Sequence, residues 1–230
     1  VDIVNNKRAD IFNNEFEQVV KKVDVVVHLA ALTSVEKSFK KPTETFSTNA
    51  LGTARVAYLC HKYKKKLIYP SSAAVVYPDL SPYAKSKAVA EEIVKGVGNA
   101  VILRFFNVYG KNMNPNSGSI MYNFLHARKL LVFGDGTQTR DFINVKDICS
   151  IIEDSFKEKW NGKIVECGTG YTYTVNYIAG LFAHFRGLPI EYMPPRREIK
   201  WSVADRSLLN ILYKKKLLTN LEKDIEELVK

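Results

Sequence analysis

Tyr83 and Lys87 stand four residues apart in the run Ser81-Pro82-Tyr83-Ala84-Lys85-Ser86-Lys87, so on a helix they share one face. A free phenol ionises near pH ~10, and a cation beside it favours the phenolate, so the pair predicts a general base working near neutral pH. Ser71-Ser72, at the end of an apolar run just upstream, offers a hydroxyl that would complete a cradle for an alcohol or carbonyl oxygen. Tyr and Lys at this spacing also occur on ordinary amphipathic helices, so their surroundings carry the decision.

Those surroundings alternate. Val23 to Leu29 is a continuous β-branched run of the kind buried in parallel sheets. A helical pattern over 43–63 follows, then a short strand at Leu67-Ile68-Tyr69 that Pro70 is expected to stop. A second helix is predicted over 81–95, with Ser81 as N-cap and Pro82 in the first turn, and Ala100 to Phe105 reads as another strand. Strand, helix, strand, helix, strand implies an α/β fold with a parallel sheet covered on both faces. After Tyr109 the elements shorten: a Pro/Asn/Ser/Gly loop over 112–119, helices near 120–128, 145–157 and 175–186, and strands near 131–133, 142–144 and 164–165. Such a mixture suits a lobe that closes over a ligand at the carboxyl ends of the strands.

Composition narrows the partners. The chain of 230 residues is 46% hydrophobic and 25% charged, as in an ordinary globular protein. No apolar run reaches the roughly 18 residues of a membrane span and no signal peptide is visible, so no membrane partner and a cytoplasmic location are expected. The net charge of +10 is scattered over element ends (Lys21-Lys22, Lys40-Lys41, Lys64-Lys65-Lys66, Lys214-Lys215-Lys216). That pattern favours a solvated surface, suited to an anionic small molecule, over a nucleic-acid track. Cys60, Cys149 and Cys167 lack metal spacing and are expected to be reduced and buried.

Taken together, several segments resemble the extended short-chain dehydrogenase/reductases that act on nucleotide-sugars, closest to the UDP-glucose (galactose) 4-epimerase type. They are His28-Leu29-Ala30-Ala31, Asn49-Ala50-Leu51-Gly52-Thr53, Ser71-Ser72-Ala73-Ala74, Ser81 to Lys87, Leu103 to Gly110, Phe133 to Phe142, Gly168-Thr169-Gly170 and Ser202-Val203-Ala204-Asp205, in the family's order. The resemblance implies a Rossmann-type doubly wound NAD-binding domain over 1–108 and about 142–167, with a substrate-binding lobe over 109–141 and 168–230. It implies Tyr83 as acid/base, Lys87 as its activator and nicotinamide-ribose ligand, and Ser72 as the hydroxyl holding the sugar O4. Asp10 and Ile11 would contact adenine, and Ala30, Ala31, Thr33, Asn49 and Phe106 would line the cofactor site. Asn107, Arg140, Arg196 and Glu198 would bind the nucleotide-sugar, the arginines as diphosphate donors. Relatives pair two helices across a two-fold axis, so the Ala-rich faces of 43–63 and 81–95 imply a homodimer.

The sequence departs from the family where its Gly-rich βαβ unit would stand: residues 1–230 contain no Gly-x-Gly-x-x-Gly. The expectation is that these residues do not make up the complete enzyme. Only Val75 to Leu80 separates the serine segment from Ser81-Pro82-Tyr83, in place of a longer loop. The reaction implied is C4 epimerisation of a UDP-hexose through a 4-keto sugar. The family's 4,6-dehydratases place an acidic residue shortly after the serine, where this chain has Ala73-Ala74-Val75-Val76. That leaves epimerisation or 4-keto reduction, with a catalytically silent sugar-nucleotide or nucleic-acid binding module as the alternative of another class.

Overall fold

The computed structural model describes residues 2–4, 7–115 and 117–230, with 2–4 and 7–9 described by backbone alone. In chain order the elements are β1 (Asp2–Val4), β2 (Lys7–Ala9), α1 (Asn14–Lys22), β3 (Val25–Val27), α2 (Val35–Lys40), α3 (Pro42–Phe46), a π-helical segment (Ser47–Leu51), α4 (Gly52–Lys62), β4 (Lys66–Ser72), α5 (Pro82–Lys95) and β5 (Ala100–Phe105). They continue as β6 (Asn107–Tyr109), α6 (Ile120–His126), β7 (Leu130–Phe133), β8 (Thr139–Arg140), β9 (Phe142–Asn144), α7 (Val145–Asp154), β10 (Ile164–Cys167), β11 (Tyr173–Thr174), α8 (Val175–Arg186), β12 (Ile190–Met193), α9 (Ser207–Leu212) and α10 (Leu221–Val229). The chain divides into two compact units, residues 1–104 with 152–165, and residues 105–151 with 166–230.

The first unit is built on a four-stranded sheet in the order β10-β5-β4-β3, with β3 and β4 parallel. Leu67 and Tyr69 of β4 and Ala100 and Ile102 of β5 share one core with Phe16 and Val20 of α1, Val56 and Leu59 of α4, and Ala90 and Val94 of α5. The alternate residues Ile68, Val101 and Leu103 are buried as well, so the strands are apolar on both faces, as their sequence requires. Among the described residues β3 stands last in this sheet, and β1 and β2 form a separate antiparallel hairpin.

Pro70 does not stop β4, which runs on to Ser72. Leu67 N–H bonds Asn99 O on the β5 side, so alternation turns the backbone of Ile68 and Pro70 toward β3. There the last paired residue is Val27, opposite Ile68, so the N–H that proline lacks would have had no strand to meet. The helix expected over 43–63 is interrupted: α3 and α4 flank the π segment, whose wider turn is marked by Gly52 N–H bonding to Ser47 O. A Cβ at Gly52 would lie 2.6 Å from Ile11 Cδ1, so any larger residue there would have to displace the end of the Ile11 side chain.

The second unit holds paired short strands, β6 with β9 and β7 with β12 in parallel and β8 with β11 antiparallel. Its core gathers Tyr109, Phe124, Leu130, Val132, Phe142, Ile178, Phe182 and Ile225. Asp141, fully buried, accepts bonds from Thr169 N and Oγ1, Gly170 N and Ala204 N, tying three loops together. No helix among the described residues is long and apolar enough to cross a membrane, and no group of three His, Cys, Asp or Glu side chains there could hold a metal. Cys60 and Cys167 are buried thiols, as expected. Cys149, however, is exposed, on a helix position that faces water.

Candidate active site

Two features fix the start of α5. Ser81 caps it, accepting from Ala84 N–H at 3.1 Å, and Pro82 sits in the first turn where no helical N–H is needed. Tyr83 is thereby placed in the first turn and Lys87 one turn on. Lys87 is only 4% exposed; its ammonium donates to Pro70 O at 2.7 Å and lies 4.2 Å from the centre of the Tyr69 ring. The continuation of β4 past Pro70 thus supplies the carbonyl that seats the lysine, and two residues later the Ser72 hydroxyl, near enough to the Tyr83 phenol to pull its pKa down. Ser72 also caps the turn that follows, accepting from Ala74 N–H. Ser72, Tyr83 and Lys87 are therefore brought together.

Their protonation differs from the sequence expectation. Burial pushes the Tyr83 phenol above its ordinary value, and the Ser72 hydroxyl pulls it only partly back. Burial also brings Lys87 down to about 7, opposed by Glu91. A desolvated ammonium holds its charge less firmly, so burial works against the charge on Lys87.

Asn49 clamps the loop that follows β3. It is 1% exposed, and its amide makes three bonds: Oδ1 accepts from Leu32 N–H at 2.8 Å, while Nδ2 donates to Leu32 O and Ser86 Oγ at 3.0 Å each. It fixes the irregular stretch after β3 that holds Ala30 and Ala31, both half-buried, and the exposed Thr33. Beside it His28, 3% exposed, bonds Thr53 Oγ1 through Nε2 at 3.0 Å. Thr53 gives its own proton to Asn49 O at 2.6 Å, so it accepts from the imidazole, which must carry hydrogen on Nε2. Burial, with Lys87 nearby, lowers His28 to about 4. Asp10 is exposed and its carboxylate closes a turn with Phe12 N–H. Ile11 packs its side chain into the core, and its carbonyl accepts from Arg55.

Phe106 and the remaining predicted residues belong to the second unit. Arg140 donates to Thr139 O and Ile199 O from Nη1 and to Glu198 Oε2 at 2.5 Å from Nη2. Arg196 approaches the other oxygen of Glu198 at 3.5 Å, with its guanidinium 4.4 Å from the Phe133 ring centre. Phe133, Thr137, Gln138, Arg196, Glu198 and Lys200 help line a cavity of about 150 Å³. Asn107 does not line it; its amide donates to Asp141 O at 2.9 Å. Sequence reasoning placed the three charged residues at one site but missed that Glu198 already occupies both arginines. It also gave no role to His28, although His28 opens one of the matching segments, or to Glu91, which follows Lys87 at the same interval of four.

With this geometry in place, comparisons with known proteins are informative. The profile of the NAD dependent epimerase/dehydratase family matches residues 3–168. A Methanocaldococcus jannaschii protein, provisionally named UDP-glucose 4-epimerase, is 32% identical over 222 residues, covering 83% of this chain and 72% of the relative. A UDP-N-acetyl-alpha-D-glucosaminuronate decarboxylase of Bacillus cytotoxicus is 30% identical over 72% of this chain, which spans only 60% of that relative's length. Among solved structures, MoeE5 in complex with UDP-glucose and NAD superposes with a TM-score of 0.86 at 25% identity, over 97% of this chain and 83% of that one.

Proposed function

The chain belongs to the NAD-dependent epimerase/dehydratase family, and from that premise we propose that it inverts C4 of a UDP-hexose, of the UDP-glucose/UDP-galactose type, through a transient 4-keto sugar. The observation carrying this reading is the meeting of Ser72, Tyr83 and Lys87 with no carboxylate in the turn after the serine. That turn is Ala73–Val76, and the next acid along the chain, Asp79, is exposed and paired with Lys85 at 3.4 Å. A dehydratase needs a second proton-handling group at that point, and none is available.

The residues present fit a nicotinamide dinucleotide at two places. Lys87 keeps N–H donors beyond the one given to Pro70 O, as a ribose diol requires, and Asp10 presents an open carboxylate. The chemistry such a cofactor would supply is reversible hydride acceptance at C4. The Ser72 hydroxyl holds the sugar O4, and the Tyr83 oxygen accepts the C4 hydroxyl proton and later returns it. Lys87 supplies the positive charge that favours the phenolate. The clamp of Asn49 on Leu32 keeps the loop of Ala30 to Thr33 in one arrangement. In the second unit Arg196 and Arg140 are the diphosphate donors in this reading, and Arg140 reaches a phosphate by sharing or releasing Glu198.

A homodimer through the same two helices belongs to the same proposal. Of their alanines, Ala50, Ala57, Ala84 and Ala90 are buried and Ala54 and Ala88 are half-buried; Leu51, Tyr58 and Val89 are the large apolar residues that α4, α5 and the π segment leave exposed. Incubating the full-length protein with UDP-glucose and NAD should yield UDP-galactose with no net NADH. Accumulation of a 4-keto-6-deoxy sugar, or no turnover of any UDP-hexose, would defeat the reading.

A further inference from the structure

One buried carboxylate takes no part in the chemistry above. α5 presents Tyr83, Lys87 and Glu91 at successive intervals of four, along a single face. Glu91 is 2% exposed and is gripped by Arg104 of β5, Nε to Oε1 at 3.0 Å and Nη2 to Oε2 at 2.9 Å. The two-pronged bond leaves the carboxylate no freedom to turn away. A buried ion pair of this kind contributes little to stability over an apolar pair of the same volume, so its retention beside Lys87 calls for another reason.

We propose that Glu91 is a positioning residue for Lys87: a carboxylate fixed by Arg104, one helical turn behind the ammonium, that keeps the buried lysine charged. This rests on the reading of Lys87 as the charge beside the reacting phenol. The groups around Lys87 point the same way. Tyr69 faces it from β4, Tyr83 shares its helix, and His28 beyond β3 is held neutral at ordinary pH. The π segment and α4 contribute the uncharged Asn49 and Thr53, and Glu36, Lys37, Lys40, Lys41 and Glu44 on α2, at its end and on α3 are all exposed. Glu91 is the anion that opposes the effect of burial on Lys87.

The two partners of the pair should act on Lys87 in opposite directions. Glu91→Gln removes the negative charge and leaves Arg104, so Lys87 should lose its proton at lower pH. Arg104→Gln frees the carboxylate, so Lys87 should hold its proton to higher pH. The expected displacements are about one pH unit each, the size of a screened charge interaction one helical turn away. The double variant should fall between the singles. The measurement is a pH titration of the full-length protein labelled with 13C-lysine, followed by NMR, with the Lys87 signal identified by its loss in Lys87→Arg. A purely structural pair would move both singles the same way or neither, and either result overturns the proposal. Should Glu91→Gln not fold, Arg104→Gln decides alone: an unchanged or lowered midpoint refutes it. The titration needs no turnover, so a failure of the epimerase reading shows up separately, in the sugar assay.

Discussion

Replacing Asn49 with alanine tests the clamp on the loop after β3. Three hydrogen bonds disappear, two to the backbone of Leu32 and one to Ser86 Oγ. Leu32 is exposed, so its freed N–H and C=O rehydrate, and Ser86 Oγ still donates to Tyr83 O at 2.8 Å. No buried donor is stranded, which keeps the loss to net hydrogen-bond values of about 1 kcal/mol each, or about 2 to 4 kcal/mol with the small cavity included. Urea unfolding should show that loss with an unchanged m-value, and hydrogen exchange should show the Leu32 amide losing its protection. Asn49→Asp should be worse, because a buried carboxylate would face the Leu32 carbonyl that the amide now serves. A stability loss below about 0.5 kcal/mol in the alanine variant, or a Leu32 amide as protected as before, would refute the clamp.

Other outcomes follow from the same geometry. Tyr83→Phe should abolish turnover through kcat while leaving the unfolding midpoint nearly unchanged, since only the phenol oxygen is lost; substantial remaining epimerisation would remove Tyr83 from the chemistry. Arg140→Ala should weaken UDP-sugar binding by about 1.5 to 3 kcal/mol in isothermal titration, and equal affinity would show that Arg140 serves only Glu198. His28 gives a pH dependence: its folded value lies near 4 against 6.5 for the free group, so the unfolded state binds the extra proton and stability falls as pH drops from about 6.5 to about 4. The loss is on the order of 3 kcal/mol and should be missing from the acid limb of His28→Gln in thermal unfolding.

How much of this the sequence discloses depends on the range of the interaction. The start of α5 is legible because Ser81 and Pro82 act within one turn, and the strand at 100–105 because its burial is continuous. The passage of β4 through Pro70 is not legible, since it depends on where the neighbouring strand ends. The pairing of Ser72 with Tyr83 follows from motif order. The engagement of Asn49 with Leu32, of Glu91 with Arg104 and of Glu198 with two arginines does not, because each joins segments whose separation carries no periodic signal. The direction of the Tyr83 and Lys87 shifts was also hidden: spacing reports a neighbour's charge, whereas depth of burial is a property of the assembled fold.

The π-helical segment bears on how such a site can change over generations. A π turn amounts to one residue inserted into an α-helix. Deleting a single residue within Ser47–Leu51 would restore regular helix and rotate everything before it by about 100° relative to α4, carrying Asn49 away from Leu32. No series of amino-acid exchanges makes that change, and a single three-base insertion or deletion does. Among relatives the feature should therefore appear or vanish as an alignment gap, in one step, and libraries built only from substitutions will never sample its loss.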